Sequence, residues 1–134
     1  MSRVQLALTV ADLDAAVGFY SDLFGAEPAK RRPGYANFAI EEPPLKLVLI
    51  EGRTPGLNHL GIEVGNVAEV GAATQRLAAR GLDTARERGV CCYADQDKVW
   101  VGAPDGERWE VYTVLGDADT MACDEESCRE AACC

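Results

Sequence analysis

Val4-Gln5-Leu6-Ala7-Leu8-Thr9-Val10 is followed by Asp12 and a helical pattern, and Asn58-His59-Leu60-Gly61-Ile62-Glu63-Val64 is followed by Asn66 and a second helical pattern. The two stretches superpose at an offset of 54, which pairs Gln5 with His59 and Asp12 with Asn66. Each opens with strict alternation, the mark of a half-buried strand. Leu6, Leu8 and Val10 share one face, and Leu60, Ile62 and Val64 share the equivalent face of the second copy. The opposite faces carry Gln5, Ala7 and Thr9, and His59, Gly61 and Glu63. These are smaller or more polar, as expected of a sheet that faces a cavity.

Working outward, Asp12 is placed to cap a helix whose apolar stripe is Leu13, Ala16, Val17, Tyr20 and Phe24, with Gly25 as its stop. Asn66 caps the second helix, with Glu69 three residues on as the partner in a capping-box-like start. Its stripe is Val67, Val70, Thr74, Leu77 and Ala78, and Gly81 ends it. Three strand-like stretches come after each helix. They run over residues 27–31, 35–40 and 45–51, then 84–88, 98–102 and 109–115. Pro33-Gly34, Pro43-Pro44 and Pro104-Asp105-Gly106 mark turns. The plan is βαβββ twice, an α+β fold in which curled mixed sheets face each other around a cleft. One domain is expected over 1–115, with modules of about 1–53 and 54–115 and a tail over 116–134.

The chain has 134 residues, 48% hydrophobic and 26% charged, enough for one domain with a real core. It shows no apolar leader and no run long enough to cross a bilayer, so a cytoplasmic protein is expected. The net charge is −9, of which −5 falls in residues 116–134. Such a balance argues against nucleic-acid or anionic-membrane partners, which need basic patches. A monomer or a homodimer is expected, since two modules in one chain can complete a cleft alone.

Cys91 and Cys92 adjoin, and Cys133 and Cys134 close the chain. Neighbouring Cα atoms lie about 3.8 Å apart, whereas unstrained disulfides want about 4.4–6.8 Å. A vicinal pair is therefore poorly placed to bond to itself and well placed to clamp one thiophilic atom with two thiolates. With Cys123 and Cys128 added, the spacing is no framework for stapling a fold, and reduced thiols are expected. The rival reading of the Cys91-Cys92 pair is a chance run of small residues in a strand or loop.

Asp12-Leu13-Asp14-Ala15-Ala16-Val17-Gly18-Phe19-Tyr20, Asn58-His59-Leu60-Gly61-Ile62 and Asp105-Gly106-Glu107-Arg108-Trp109-Glu110-Val111-Tyr112 resemble the vicinal oxygen chelate superfamily, which includes glyoxalase I and extradiol dioxygenases. The resemblance covers the chain to about Leu115. It implies a divalent metal held by residues of the first and last strand of each module, which are Gln5, His59 and Glu110 here. The fourth place falls on Leu47, which cannot ligate. Three ligands leave octahedral positions open, which suits Fe(II) with room for O2 and a substrate.

Within that superfamily, the Cys-Cys pair and the Cys-rich acidic end resemble the carbon–arsenic lyase branch, as do Tyr35-Ala36-Asn37-Phe38-Ala39-Ile40 and Leu45-Lys46-Leu47-Val48-Leu49. The resemblance implies Fe(II)- and O2-dependent removal of the organic group from a trivalent organoarsenical. Trivalent arsenic with one methyl group has two exchangeable positions, and Cys91 and Cys92 match that number. Lys98 or Tyr93 is then a candidate for a hydrogen bond to bound oxygen or to the leaving arsenic, or for closing a lid. Gln96 reads as an ordinary hydrophilic loop residue. Cys123, Cys128, Cys133 and Cys134 read as an accessory arm for arsenic capture or as a soft-metal sponge. Two rivals stay open: a binding protein that sequesters arsenical or cadmium without turnover, and a glyoxalase-like enzyme with another metal.

Overall fold

A computed structural model describes residues 2–121. It contains two compact units, one of residues 3–58 and one that runs from His59 onward. The first has β1 (Arg3–Val10), α1 (Leu13–Phe24), β2 (Lys30–Arg32), β3 (Tyr35–Ile40) and β4 (Leu45–Glu51). The second has β5 (Gly56–Glu63, whose first residues belong to the first unit), α2 (Val67–Ala79), β6 (Thr84–Cys91), β7 (Ala94–Gly102) and β8 (Arg108–Asp117). The βαβββ plan is present twice, as the sequence predicts.

Strand order in the first unit is β2-β3-β4-β1, with β1 and β4 parallel and the others antiparallel. The second repeats it as β6-β7-β8-β5, with β5 and β8 parallel. A parallel pair needs a long crossover, and the helix and two strands between the partners supply it.

The helices begin where their caps stand. Asp12 Oδ1 accepts the Ala15 N–H at 3.1 Å, and Asn66 Oδ1 accepts the Glu69 N–H at 3.0 Å. Glu69 reaches back to the N–H of Gly65 at 2.6 Å, one residue before the cap itself. Gly25 ends α1 with a left-handed φ of 62°, a conformation that costs a side-chain-bearing residue more. In α1 the predicted stripe is the packed one. Leu13 and Val17 are buried with Phe38, Leu47 and Leu49, and Leu6, Leu8, Val10, Ala16, Tyr20 and Phe24 pack around them. In α2 the stripe is rotated. Val70 and Ala73 are buried against Val99 and Val111, while Val67 is exposed.

Three expectations shift in detail. The hairpin strands β6 and β7 run to Cys91 and from Ala94, so residues 89–91 and 94–97, outside the expected stretches, are strand. The polar strand face is no open wall, since Gln5, Ala7 and Thr9 are more buried than Leu6 and Leu8. The third concerns Leu47. Ladder register pairs Gly61 with Glu110 in the second unit, and the equivalent Ala7 with Val48 in the first. Val48, not Leu47, occupies the position that corresponds to Glu110. Leu47 points into the α1 core, fully buried. The sequence alignment was off by one residue, which in a strand turns a side chain to the other face. Valine cannot ligate either, so the fourth position stays without a donor.

Candidate functional site

The second unit assembles a buried ionisable cluster on one face of its sheet. His59 stands two residues before Gly61 on β5, and Gly61 pairs with Glu110 on β8. Alternation therefore brings His59 and Glu110 to the same side. Both are about 1% exposed, and His59 Nε2 lies 3.5 Å from Glu110 Oε1. From β7, Lys98 donates through Nζ to Glu110 Oε2 at 2.9 Å and is itself 2% exposed. Burial alone pushes the Glu110 carboxyl up. The Lys98 charge and the hydrogen bond with His59 outweigh it and hold the group down at about 2. The carboxylate is thus ionised with one oxygen engaged by lysine and the other turned to the imidazole.

Donor atoms so placed fit a divalent ion. Nitrogen and oxygen ligands at about 2.1 Å from a common ion and at right angles lie about 3 Å apart, close to the separation found. Among the described residues no group of three or more His, Cys, Asp or Glu side chains is assembled for a metal. Gln5, the sequence candidate, lies on β1 of the first unit and is 4% exposed.

Trp100 is a residue the sequence reading missed. Its ring meets the imidazole of His59 edge-on, with centroids 5.3 Å apart. Its Nε1 donates to Glu87 Oε2 at 3.1 Å, and the Arg108 guanidinium lies 4.4 Å over the ring. Alternation along β7 from Lys98 was the signal that could have found it.

Cys91 is the last residue of β6, and Cys92 and Tyr93 form the two-residue turn to β7. Both turn residues have positive φ, 51° and 61°. That is the pattern of a type I′ hairpin turn, which Asn-Gly fills at least cost. Held by Cys and Tyr it stores strain, a feature that concentrates at functional sites. Residues 118–121 brace it. The N–H groups of Cys92 and Tyr93 donate to the carbonyls of Met121 and Thr120 at 3.0 and 3.1 Å, and the Ala118 N–H donates to the Tyr93 carbonyl at 2.9 Å. Cys91, Cys92 and Tyr93 are all buried.

Cys91 is disulfide-bonded and Cys92 is not its partner. The vicinal pair does not close on itself, as the Cα spacing requires, but the expectation of reduced thiols does not hold at Cys91. Cys123, Cys128, Cys133 and Cys134 lie outside the described residues.

Gln96 corrects another expectation. It is no loop residue but a buried member of β7, 5% exposed, whose Nε2 donates to the Cys91 carbonyl at 2.8 Å. Gln96 and Lys98 are alternate residues of one strand, so their Cα atoms lie about 7 Å apart on one face. One holds the cysteine turn and the other the carboxylate.

Residues 3–111 match the model of the glyoxalase/bleomycin resistance protein/dioxygenase superfamily. A "trivalent organoarsenical cleaving enzyme" of Thermomonospora curvata is 62% identical, over all of this chain and 89% of that protein. The "cadmium-induced protein CadI" of Mycobacterium tuberculosis is 64% identical over 90% of this chain and 82% of its own. Among solved structures, the Mn(II)-bound glyoxalase of Novosphingobium aromaticivorans has a TM-score of 0.64 at 21% identity, covering 93% of this chain and 44% of that one. That glyoxalase holds its metal on the same fold. With the βαβββ repeat, the caps and the buried His–Glu pair already in place, these matches leave one assignment: the chain belongs to the glyoxalase/bleomycin resistance protein/dioxygenase superfamily.

Proposed function

We propose that this protein is a non-haem Fe(II) dioxygenase that splits the carbon–arsenic bond of trivalent organoarsenicals. The observation that carries the reading is the 62% identity, over the whole chain, with a protein named for that cleavage. The buried His59–Glu110 pair and the Cys91-Cys92 turn supply residues of the right chemistry.

In this reading Gln5, His59 and Glu110 hold Fe(II), which when bound supplies the activation of O2. Lys98 occupies the second oxygen of Glu110, leaving one oxygen for the ion. Trp100 fixes the plane of the His59 ring. Cys91 and Cys92, once reduced, take the arsenic as thiolates, since a thiolate is the ligand and a thiol is not. Tyr93 and Lys98 border the reacting groups. Two sulfur bonds orient the substrate, and orientation is a large part of the barrier in such reactions. Methylarsenous acid and one molecule of O2 contain the same atoms as formaldehyde and arsenous acid. The carbon is oxidised, O2 is reduced, arsenic stays trivalent, and no outside reductant is needed.

Aerobic incubation of the Fe(II)-loaded, thiol-reduced protein with methylarsenous acid should release arsenite. The same mixture without O2 should bind the arsenical and release none. Turnover that survives Cys91→Ser or Cys92→Ser would sink the clamp.

A second reading is favoured by the similarity to the cadmium-induced mycobacterial protein: sequestration of a soft ion by the cysteines, with no chemistry. Tight binding with no arsenite released aerobically is its signature. A cytoplasmic location fits either reading, and no helix among the described residues is long and apolar enough to cross a membrane.

A further inference from the structure

One buried polar atom near the cysteine turn has no hydrogen-bond partner among the described residues: the side-chain oxygen Oε1 of Gln96. Gln96 is 5% exposed, so water does not readily compensate. A buried acceptor left unmade costs about 1–3 kcal/mol, and native structures keep few of them. Its orientation is set, because Nε2 of the same amide is spent on the Cys91 carbonyl at 2.8 Å. Oε1 sits on the same carbon as Nε2 and therefore also lies beside the turn. The position wants a hydrogen-bond donor that no described residue provides.

Resting on the arsenical reading of Cys91 and Cys92, we infer that Gln96 is a ligand-binding residue whose Oε1 accepts a hydrogen bond from a hydroxyl group on the arsenic held by those two cysteines. The chemistry of trivalent arsenic decides which species carries that hydroxyl. Each thiol that binds displaces one arsenic-bound hydroxyl as water, with no change of oxidation state. Methylarsenous acid has two hydroxyls and loses both to two cysteines. Arsenous acid has three and keeps one. The retained hydroxyl is a donor, and it exists only after the organic group has gone. Gln96 thus distinguishes product from substrate at the same pair of sulfurs.

The test compares two ligands on one protein. The full chain is reduced, and its affinities for arsenous acid and for methylarsenous acid are measured by competition with a dithiol. Gln96→Leu and Gln96→Met are measured beside it. The comparison is repeated with Cys123→Ser, Cys128→Ser, Cys133→Ser and Cys134→Ser combined, so that no third thiol replaces the hydroxyl. Both Gln96 variants should weaken arsenous acid about three- to tenfold, the range of one net hydrogen bond, and leave methylarsenous acid within about twofold. Equal weakening of both ligands would assign Gln96 to holding Cys91 in place and overturn the inference. Unchanged affinity for both would overturn it too. Should Cys91→Ser and Cys92→Ser leave both affinities intact, the arsenic clamp itself has failed. If those variants abolish binding while the Gln96 variants do not separate the ligands, the clamp stands and only the role of Gln96 falls.

Discussion

At the residue scale, the second unit turns on one buried carboxylate. Glu110 has its ordinary value lowered to about 2, so its ionised form is the one the fold stabilises. That contribution is fully present above about 4.5, the ordinary value, and is lost as pH falls through about 2. The stability difference between the protein and Glu110→Gln, followed by denaturant unfolding, should therefore shrink across that window and stay flat above it. Lys98 is the other half of the pair. Removing one partner of a buried ion pair strands the other, at about 3–5 kcal/mol. Lys98→Met should lose stability of that order, with the Glu110 carboxyl titrating higher. A loss under about 1 kcal/mol would mean that the lysine is not what offsets the burial of the carboxylate.

At the element scale, the β6–β7 hairpin is held from two sides. Arg86 grips Asp97 through two hydrogen bonds of 3.0 and 2.8 Å, and this holds the Asp97 carboxyl below its usual range. Residues 118–121 hold the turn itself through three backbone bonds. Ala118→Pro deletes the donor to the Tyr93 carbonyl and should speed hydrogen exchange at the Cys92 and Tyr93 amides about tenfold, the effect of about 1.4 kcal/mol. Unchanged exchange in that variant would show the brace to be idle. The same contacts sharpen what a truncation means. Loss of residues 123–134 removes four cysteines, whereas loss from 118 onward also frees a strained turn. The first should leave turnover of saturating arsenical intact and the second should lower it. In the first unit, Leu47 belongs to the α1 core, so Leu47→Ala should cost about 2–5 kcal/mol in chemical denaturation.

At the scale of the whole molecule, two copies of one plan have diverged in what they carry. The second unit has His59, Glu110, Lys98 and the cysteine turn. The first has Gln5 and an apolar Val48 where the second has its glutamate. A ligand bound only by the folded chain raises its stability by mass action. Fe(II), added without O2, should therefore raise the melting temperature of the reduced protein, and Glu110→Gln should abolish the rise. An equal rise in both proteins would place the ion elsewhere and remove Glu110 from the metal centre.

The repeat, the helix caps, strands β3 and β4 to the residue and the bar on a disulfide between Cys91 and Cys92 were all legible in the amino-acid sequence. Each rests on local periodicity, on short-range capping chemistry or on covalent geometry, which one strand or one helix expresses alone. Other features came from pairing between strands. Register alone moved the Glu110 equivalent from Leu47 to Val48. Burial turned Gln96 from a loop residue into a buried amide with an unanswered oxygen. Cross-strand neighbours placed Lys98 on Glu110 and Trp100 on His59. A side chain's partner across a sheet depends on which residues of a distant segment align with it, and no local pattern encodes that alignment.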